Sequence, residues 1–267
     1  MPTKSPHRQP SPRLAPIPPL PHPTAYYEPR PARLTGVPVQ DQSHYFTSPT
    51  EPAAVVWRRV RLAGHDFDVA TAGGVFSATK LDLGTQVLLR TVANADHRLP
   101  VSGLLVDVGC GWGALSLVMA TLAPKAQVWA VDSNPRALEL TRLNAQRAGL
   151  DNLQVATVNQ AAAFRPDVIW SNPPIRVGKA ALHQLLTDWL SRLTPTGHAT
   201  LVVQRHLGAD SLAQWLTDQG YPTERLASAK GYRVLTCRSR GSQFEDQPPP
   251  GEPGRSRPSQ EDQSPPS

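Results

Sequence analysis

The stretch "SNPPI", Ser171 to Ile175, combines hydrogen-bond acceptors with rigid backbone directly after the apolar run "VIW". A proline pair can neither continue a central strand nor enter a helix comfortably, so the chain must turn there. The Asn172 side-chain oxygen and the Pro173 carbonyl are acceptors, and neither Pro173 nor Pro174 has an N–H to compete for them. Fixed acceptors at the end of a strand can receive hydrogen bonds from a ligand; a plain Asn-Pro turn is the alternative.

A glycine-rich turn, "DVGCGWGA", follows the apolar run that begins at residue 103. Gly109, Gly111 and Gly113 let a ligand approach the backbone closely, at the end of a strand where open α/β sheets bind ligands. Asp132 ends the next apolar run, 25 residues after Asp107, and a carboxylate there can accept hydrogen bonds from ribose hydroxyls. Tight packing of the turn is the alternative, and the dinucleotide fingerprint GxGxxA also fits these letters.

The elements that must position these residues follow from apolar periodicity. Residues 56–76 alternate in two runs, which predicts a β-hairpin, and Val87, Leu88 and Val92 have helical spacing. From residue 103 onward, apolar strands alternate with helical patterns in units of about 25 residues, and the extended segment "GYRVLTCR" closes the series. This alternation predicts βαβ units around a parallel sheet, an α/β fold.

Proline separates a central domain from two terminal segments. Of 29 prolines, 13 fall in residues 1–50 and 7 in residues 241–267, segments too poor in apolar residues to offset the entropy of ordering. We therefore expect a disordered Pro-rich head, 1–50, a single domain over 51–240, and a disordered, Pro-rich acidic tail, 241–267. A domain of this size can bury a substantial core without disulfides or metals.

The net charge of +6 belongs to the central domain, which has 20 basic and 14 acidic residues and is rich in arginine. Arginine binds phosphate bidentately, although modestly basic surfaces are also common in proteins that never contact nucleic acid. Cys110 and Cys237 are too few for a disulfide framework and are expected to be free thiols. Apolar runs fall short of the ~20 residues of a membrane span, and no apolar leader opens the chain, so the expected location is cytoplasmic.

Asp107 decides between the ligands that a glycine turn can hold. A buried carboxylate would repel a pyrophosphate, whereas it suits a ligand whose nearby end carries an ammonium and a sulfonium, as S-adenosylmethionine does. The pattern "DVGCGWG" resembles the first motif, D/ExGxGxG, of class I methyltransferases. The resemblance implies that Asp132 binds the ribose of this cofactor and that Asn159 contacts the adenine, where many members have an aspartate.

A more specific resemblance is to the "methyltransferase small" group, which includes ribosomal RNA guanine-N2 methyltransferases of the small subunit, and it covers about residues 55–237. It rests on "GVFSATKLDLGTQVLL", "DVGCGWGAL", "SNPPIRVGKAALHQLL" and "KGYRVL". The resemblance implies a Rossmann-like methyltransferase fold, with a mostly parallel seven-stranded sheet, helices on both faces and a preceding β-hairpin. It also implies transfer of a methyl group to an exocyclic amine, here guanine N2 of ribosomal RNA, held by Asn172, Pro173 and Pro174.

The expected substrate residues surround that motif. Glutamine-directed and adenine-directed relatives usually have an aromatic after NPP, whereas Ile175 offers an apolar face that fits the guanine-directed group. Phe76 is a candidate for stacking on the target base, with a place in the core as the alternative. RNA is the expected partner, unfolded or partly assembled at the target because a paired base must be flipped out. A basic rim for its phosphates is expected from Arg176, Lys179, Lys230 and Arg233.

Other functions stay open at this point. The same cofactor can serve a protein glutamine or another nucleobase. The fold can also be a non-catalytic module that binds RNA or protein, and its best support is Asn159, where many family members have an aspartate. A nicotinamide dehydrogenase is the remaining alternative. No metal and no membrane contact are expected, and the sequence gives no oligomeric state.

Overall fold

The computed structural model describes residues 54–77, 80–94, 99–174 and 177–242. The predicted disordered head, 1–50, and all but the first two residues of the predicted disordered tail, 241–267, lie outside these ranges. Within them, no helix is both long and apolar enough to cross a bilayer. The strands are β1 (Val56–Leu62), β2 (His65–Thr71), β3 (Leu104–Val108), β4 (Gln127–Asp132), β5 (Leu153–Thr157), β6 (Val168–Ser171), β7 (His198–Gln204), β8 (Thr223–Ala229) and β9 (Tyr232–Arg238). The α-helices are α1 (Leu83–Asn94), α2 (Ala114–Leu122), α3 (Pro135–Ala148), α4 (Lys179–Leu190) and α5 (Ala209–Asp218).

The central sheet has seven strands in the order β5-β4-β3-β6-β7-β9-β8. Strands β3 to β7 pair in parallel, and β9 runs antiparallel to both of its neighbours. β1 and β2 form a separate antiparallel hairpin. The predicted α/β fold, a mostly parallel seven-stranded sheet preceded by a hairpin, is confirmed.

Strand side chains alternate between two apolar layers, one on each face of the sheet. Leu105 belongs to the layer formed with the hairpin, α1, α2 and α3, whereas the next residue, Val106, belongs to the layer formed with α4 and α5. Val87 and Leu88, whose spacing predicted a helix, are buried in the first layer. Helices therefore cover both faces and leave the ends of the strands as the place for a site.

The edge strand β8 is one element that apolar periodicity does not predict. Its sequence, "TERLASA", has few large apolar residues, and none of its side chains is fully buried. It forms by pairing with β9, with an irregularity between Arg225 and Ala227. An edge strand that is covered on few sides leaves little hydrophobic pattern in the sequence.

Both cysteines are free, as predicted, and the structure shows that both are also buried. Burial raises the pKa of the Cys237 thiol to about 12 and that of the Cys110 thiol well above its usual range. Because the thiolate is the reactive form, both act as packing residues at neutral pH.

One buried side chain, Asn144 of α3, links the hairpin to the glycine-rich turn. Its Oδ1 accepts the Ala70 N–H at 2.6 Å, and its Nδ2 donates to the carbonyls of Ala70 at 3.1 Å and Trp112 at 2.8 Å. The amide thus satisfies the backbone of β2 and ties it to the glycine-rich turn, to which Trp112 belongs. A buried polar group that loses its partner costs about 1–3 kcal/mol.

Asn144→Ala is expected to lower the free energy of unfolding by about 2–4 kcal/mol, because it leaves buried backbone groups unpaired and opens a small cavity. Chemical denaturation followed by tryptophan fluorescence measures the change. Gln146→Ala, at an exposed position of the same helix, is the matched control and should stay within about 0.5 kcal/mol of the parent. Equal stability of the two variants would contradict the anchoring role of Asn144.

Candidate active site

Strand register brings polar residues from neighbouring strand ends together. Val108, the last residue of β3, lies opposite Ser171 of β6 and Val131 of β4, and the Ser171 hydroxyl donates to the Val108 carbonyl at 2.7 Å. The residues that follow, Gly109 and Asn172, therefore lie side by side at the carboxyl edge of the sheet. One pocket at this edge is lined by Phe76, Thr85, Asp107, Gly109, Gly111 and Asn172, among others.

The glycine-rich turn leaves its backbone open at the first glycine. Gly109 has a φ of 78°, which L side chains rarely adopt, and a Cβ added there would meet no atom within 4 Å. Tight packing therefore does not explain Gly109, whereas it does explain Gly113, where a Cβ would lie 2.9 Å from Thr141 Cγ2. A ligand can approach the turn at Gly109, in the pocket that this residue lines.

Asp107 is the buried carboxylate of the site. Its Oδ2 accepts hydrogen bonds from the backbone N–H of Ser116 at 3.0 Å and from the Ser116 hydroxyl, whereas its buried Oδ1 has no partner within the described part of the chain. Burial raises the pKa of Asp107 to about 7; the Ser116 hydrogen bonds oppose the shift and the Asp132 charge adds to it. A buried acceptor without a donor fits a cationic ligand group that would pair with it.

Asp132 and Asn159 extend the site along β4 and β5. Asp132 Oδ2 accepts the Gly111 N–H at 3.0 Å and its Oδ1 accepts the Asn134 N–H at 2.9 Å, so the carboxylate is held against the glycine turn. Its oxygens keep further lone pairs for a ligand hydroxyl. Asn159 is exposed two residues after β5 ends, on the side of β4 away from β3.

The side-chain amide of Asn172 is held in one orientation. Its Nδ2 donates to Asp82 Oδ2 at 2.8 Å and to Thr85 Oγ1 at 3.1 Å, so its two N–H bonds point toward the start of α1. Asp82 Oδ2 also accepts the Thr85 N–H at 3.0 Å, which caps α1. The Asn172 Oδ1 is thereby left on the opposite side of the amide group, available to a ligand.

Asp82 and Thr85 were not among the predicted site residues. Their signal in the sequence is "KLDLGT", which separates an aspartate and a threonine by the spacing of a helix cap. Gly84 between them is required for space, because a Cβ there would lie 2.9 Å from both Asp82 Oδ2 and Tyr232 Cε1. The contact with Asn172 spans 90 residues of sequence, so no local pattern reveals it.

The two proline carbonyls of the motif differ. The Pro174 carbonyl accepts the Val177 N–H at 3.2 Å and so belongs to the turn into α4. The Pro173 carbonyl is not part of that hydrogen bond and follows directly after Asn172. Pro173 is buried and Pro174 exposed, so the pair ends β6 as predicted.

Phe76 lies at the pocket and not in the core. Its side chain is 61% exposed and lines the pocket that contains Asn172. The segment that carries it crosses the glycine turn: the Gly74 carbonyl accepts from Asn134 Nδ2 at 3.0 Å, and the Phe76 carbonyl lies 3.7 Å from where a Cβ of Gly111 would be. The core alternative for Phe76 is therefore wrong.

The predicted basic rim is only partly as expected. Lys179 and Lys230 are exposed, but Arg233 is paired with Asp210 at 3.1 Å and donates to Ser228 Oγ at 2.6 Å. Only 17% of the Arg233 side chain is exposed. Arg233 therefore stabilises the fold through these contacts and is not available as a cation of the rim. Ile175 and Arg176 lie outside the described residues. An exposed cation that the prediction missed is Arg205, whose N–H donates to the Gly231 carbonyl at 2.7 Å beside Lys230.

The unpaired oxygen of Asp107 beside an open glycine backbone fits the amino group of S-adenosylmethionine and would repel a pyrophosphate. Together with the sheet order described above, this acceptor oxygen and the open glycine turn fit a class I S-adenosylmethionine-dependent methyltransferase. The chain belongs to the methyltransferase small domain family, whose model matches residues 66–236. Its cofactor is S-adenosylmethionine.

Several relatives of this family have been named. The chain is 29% identical over 184 residues to the uncharacterized protein YbxB of Bacillus subtilis, covering 67% of this chain and 89% of that protein. It is 35% identical over 160 residues to ribosomal RNA small subunit methyltransferase C of Hahella chejuensis, covering 57% of this chain and 45% of that one. A solved structure, the T. thermophilus 16S rRNA N2 methyltransferase RsmC with AdoMet and guanosine, matches with a TM-score of 0.61 and 26% identity over 72% of this chain and 52% of that chain. The chain therefore spans about half the length of these two named methyltransferases.

Binding of S-adenosylhomocysteine is expected to strengthen as the pH rises through about 7. The ligand ammonium favours ionised Asp107, which the free protein holds partly protonated because burial raises its pKa to about 7. The affinity should rise by up to about tenfold between about pH 6 and pH 7.5, with release of a proton on binding. Isothermal titration calorimetry in two buffers of different ionisation enthalpy measures both quantities.

The control is Asp107→Asn, which should bind the same ligand more weakly and lose this pH dependence. Ligand affinity rises with pH, whereas the stability of the ligand-free protein falls. The stabilisation that follows from the raised pKa of Asp107 is fully present below about pH 4 and is lost as the pH rises through about 7. A variant that kept the parent pH profile of binding would contradict the role of Asp107.

Proposed function

We propose that this protein transfers a methyl group from S-adenosylmethionine to an exocyclic amine, guanine N2 of small-subunit ribosomal RNA. The observation that carries the proposal is the fixed amide of Asn172. Asp82 and Thr85 take both of its N–H bonds, so that its oxygen is presented at the carboxyl edge of the sheet beside Gly109. A group held this way accepts a hydrogen bond from a substrate amine and donates none.

Asn172 Oδ1 and the Pro173 carbonyl are the proposed acceptors for the two N–H bonds of the amine. The amine is a weak nucleophile because its lone pair is conjugated with the base, and two acceptors can rotate the lone pair out of conjugation. The cofactor supplies a methyl group on a positively charged sulfur; the amine nitrogen forms the new bond as the sulfur–carbon bond breaks, and the amine proton leaves to water. The acceptor oxygens, supported by the Asp82 carboxylate behind the amide, stabilise the positive charge that develops on the nitrogen.

The cofactor is proposed to lie across the ends of β3, β4 and β5. Asp107 pairs with its amino group, while Gly109 and Gly111 allow its approach and Gly113 shapes the turn. Asp132 accepts from the ribose hydroxyls, and Asn159, exposed beyond β5, contacts the adenine. The three strands are neighbours in the order β5-β4-β3. The residues assigned to the adenine, the ribose and the amino group therefore follow one another in the order in which these parts are joined in the cofactor, which supports the assignment.

The choice of an RNA substrate rests on relatives and on charge. RsmC of T. thermophilus, named for N2 methylation of 16S rRNA, was solved with guanosine, and methyltransferase C of Hahella chejuensis is named for the small ribosomal subunit. Lys179, Arg205 and Lys230 are exposed at the same edge of the sheet as Asn172, and Phe76, which is exposed and lines the pocket, is the residue proposed to stack on the base. A target base must be unpaired to enter, so RNA before full assembly, in the cytoplasm, is the proposed substrate.

Methyl transfer to deproteinised bacterial small-subunit ribosomal RNA and to assembled subunits tests the proposal directly. Labelled S-adenosylmethionine, nuclease digestion and mass spectrometry of nucleosides identify the product. N2-methylguanosine formed preferentially on the deproteinised RNA is the expected result. Label on adenosine, cytidine or a protein glutamine would overturn the guanine assignment, and no transfer despite cofactor binding would leave a binding module.

Asn172→Ala is expected to lower kcat by about 10²–10³-fold, because it removes an acceptor that is preorganised for the transition state. S-adenosylhomocysteine affinity should stay within a few-fold of the parent, since the amide contacts the substrate. Gln184→Ala, at an exposed position of α4, is the control with full activity. Equal loss of turnover and of cofactor affinity in Asn172→Ala would contradict the role assigned to the amide.

Thr85→Val and Asp82→Ala are expected to lower kcat by about tenfold each, because an amide that can rotate presents donors where acceptors are needed. KM and cofactor affinity should change little. Asp82→Ala also removes the helix cap, which costs about 1 kcal/mol of stability; the melting temperature measures this loss separately from the change in kcat. Thr91→Val, a turn and a half further along α1 and bonded only to the Val87 carbonyl in the described structure, is the matched control. If Thr91→Val and Thr85→Val lower kcat alike, the orientation of Asn172 is not what Thr85 provides.

A further inference from the structure

A surface groove lies between the hairpin and α1, outside the pocket described above. It has a volume of about 670 Å³. Its floor is apolar, its lining contains two arginines, and none of the lining residues is acidic. The residues are Val60, Arg61, Leu62, Ala63, Gly64, Leu81, Gln86, Leu89, Arg90 and Ala93.

The groove adjoins the candidate active site. Leu81 lines both the groove and the pocket that contains Asn172, and its carbonyl is fixed by Gln86 Nε2 at 2.7 Å. Helix α1 leads from one to the other: Thr85 bonds to Asn172, and Gln86 one residue later faces the groove. From Gln86 to Ala93 the helix rises about 10 Å, which gives the groove a length suited to a short stretch of extended chain.

Arg61 and Arg90 stand on opposite walls of the groove, one on β1 and one on α1, and both are exposed. Arg61 lies opposite Asp66 in the hairpin register, but the ion pair of Asp66 is with Arg59, at 4.0 Å. Two arginines that line one groove, with no acidic residue among its lining, make the groove positively charged and favour an anion there. Guanidinium binds phosphate bidentately, and an apolar floor accepts the face of a base.

We propose that this groove holds the RNA strand next to the nucleotide that is methylated, with Arg61 and Arg90 on its phosphates; this inference rests on the proposed function. A nucleotide in the pocket remains bonded to its neighbours, which must leave the pocket across an adjoining surface. The groove is an adjoining surface of this kind, because Leu81 lines both the groove and the pocket. The groove thereby contributes affinity for a polynucleotide that a free nucleoside does not use.

The test measures binding and turnover of the full chain with Arg61→Glu, Arg90→Glu and the double variant. The probe is deproteinised bacterial small-subunit ribosomal RNA, with S-adenosylhomocysteine present for binding and S-adenosylmethionine for turnover. Each single variant should weaken RNA binding at least about threefold, and the double variant should lower the slope of log affinity against log salt by about two. The KM for RNA should rise while kcat and cofactor affinity stay unchanged.

Arg225→Glu, at an exposed position of β8, is the matched control for the change in charge and should leave binding near the parent value. RNA affinity and salt slope equal to those of the control would overturn the inference, whether or not the parent methylates RNA. If the parent binds RNA through the groove but forms no N2-methylguanosine, the proposed function fails and the groove stands. A benzophenone side chain placed at Ala93 should crosslink to RNA; crosslinks to residues 243–267 or to a second protein would overturn the RNA assignment.

Discussion

The hydrogen bond from Asn172 to Asp82 decides what the site can do. An amide carries a donor and an acceptor on the same carbon, and a half-turn about its last bond exchanges them. Anchoring the nitrogen to a carboxylate makes that exchange costly, because the bond to a charged acceptor would be lost. Among the described residues before the glycine turn, α1 begins at this contact and packs against β7 and β9 of the sheet.

Two kinds of constraint meet at the carboxyl edge. The parallel register of β3, β4 and β6 fixes Gly109, Asp132 and Asn172 relative to one another through backbone hydrogen bonds. Side chains then fix what register cannot, namely the direction of an amide and the position of the crossing segment at Phe76. The carboxylate of Asp107 is buried at the same edge, and its pKa is raised mainly because burial removes the charged form from water.

The sequence predicts best what is local. The glycine turn, the acid at the end of β4 and the Asn-Pro-Pro stop of β6 are short patterns whose physical cause lies within a few residues, and the structure places all of them at one edge. Asp82 and Thr85 have a local role as a helix cap but act across 90 residues, so periodicity cannot assign them. Arg233 is the opposite case. The sequence predicts it as a free cation of the basic rim, but in the fold it forms an ion pair with Asp210, which lies 23 residues away in the sequence. The edge strand β8 has little apolar periodicity in its sequence, because few of its side chains need to be buried.

The hydrogen bonds of Asn144 determine when the hairpin becomes anchored during synthesis of the chain. The backbone it anchors, at Ala70, precedes it by 74 residues, which takes roughly 4 to 15 s to synthesise at typical translation rates. During that interval the hairpin lacks α3, one of the elements that cover the face carrying Leu62, Phe67 and Val69, all buried in the finished fold. The nascent chain therefore leaves part of this apolar face uncovered until α3 emerges, so an element that is made early is secured late.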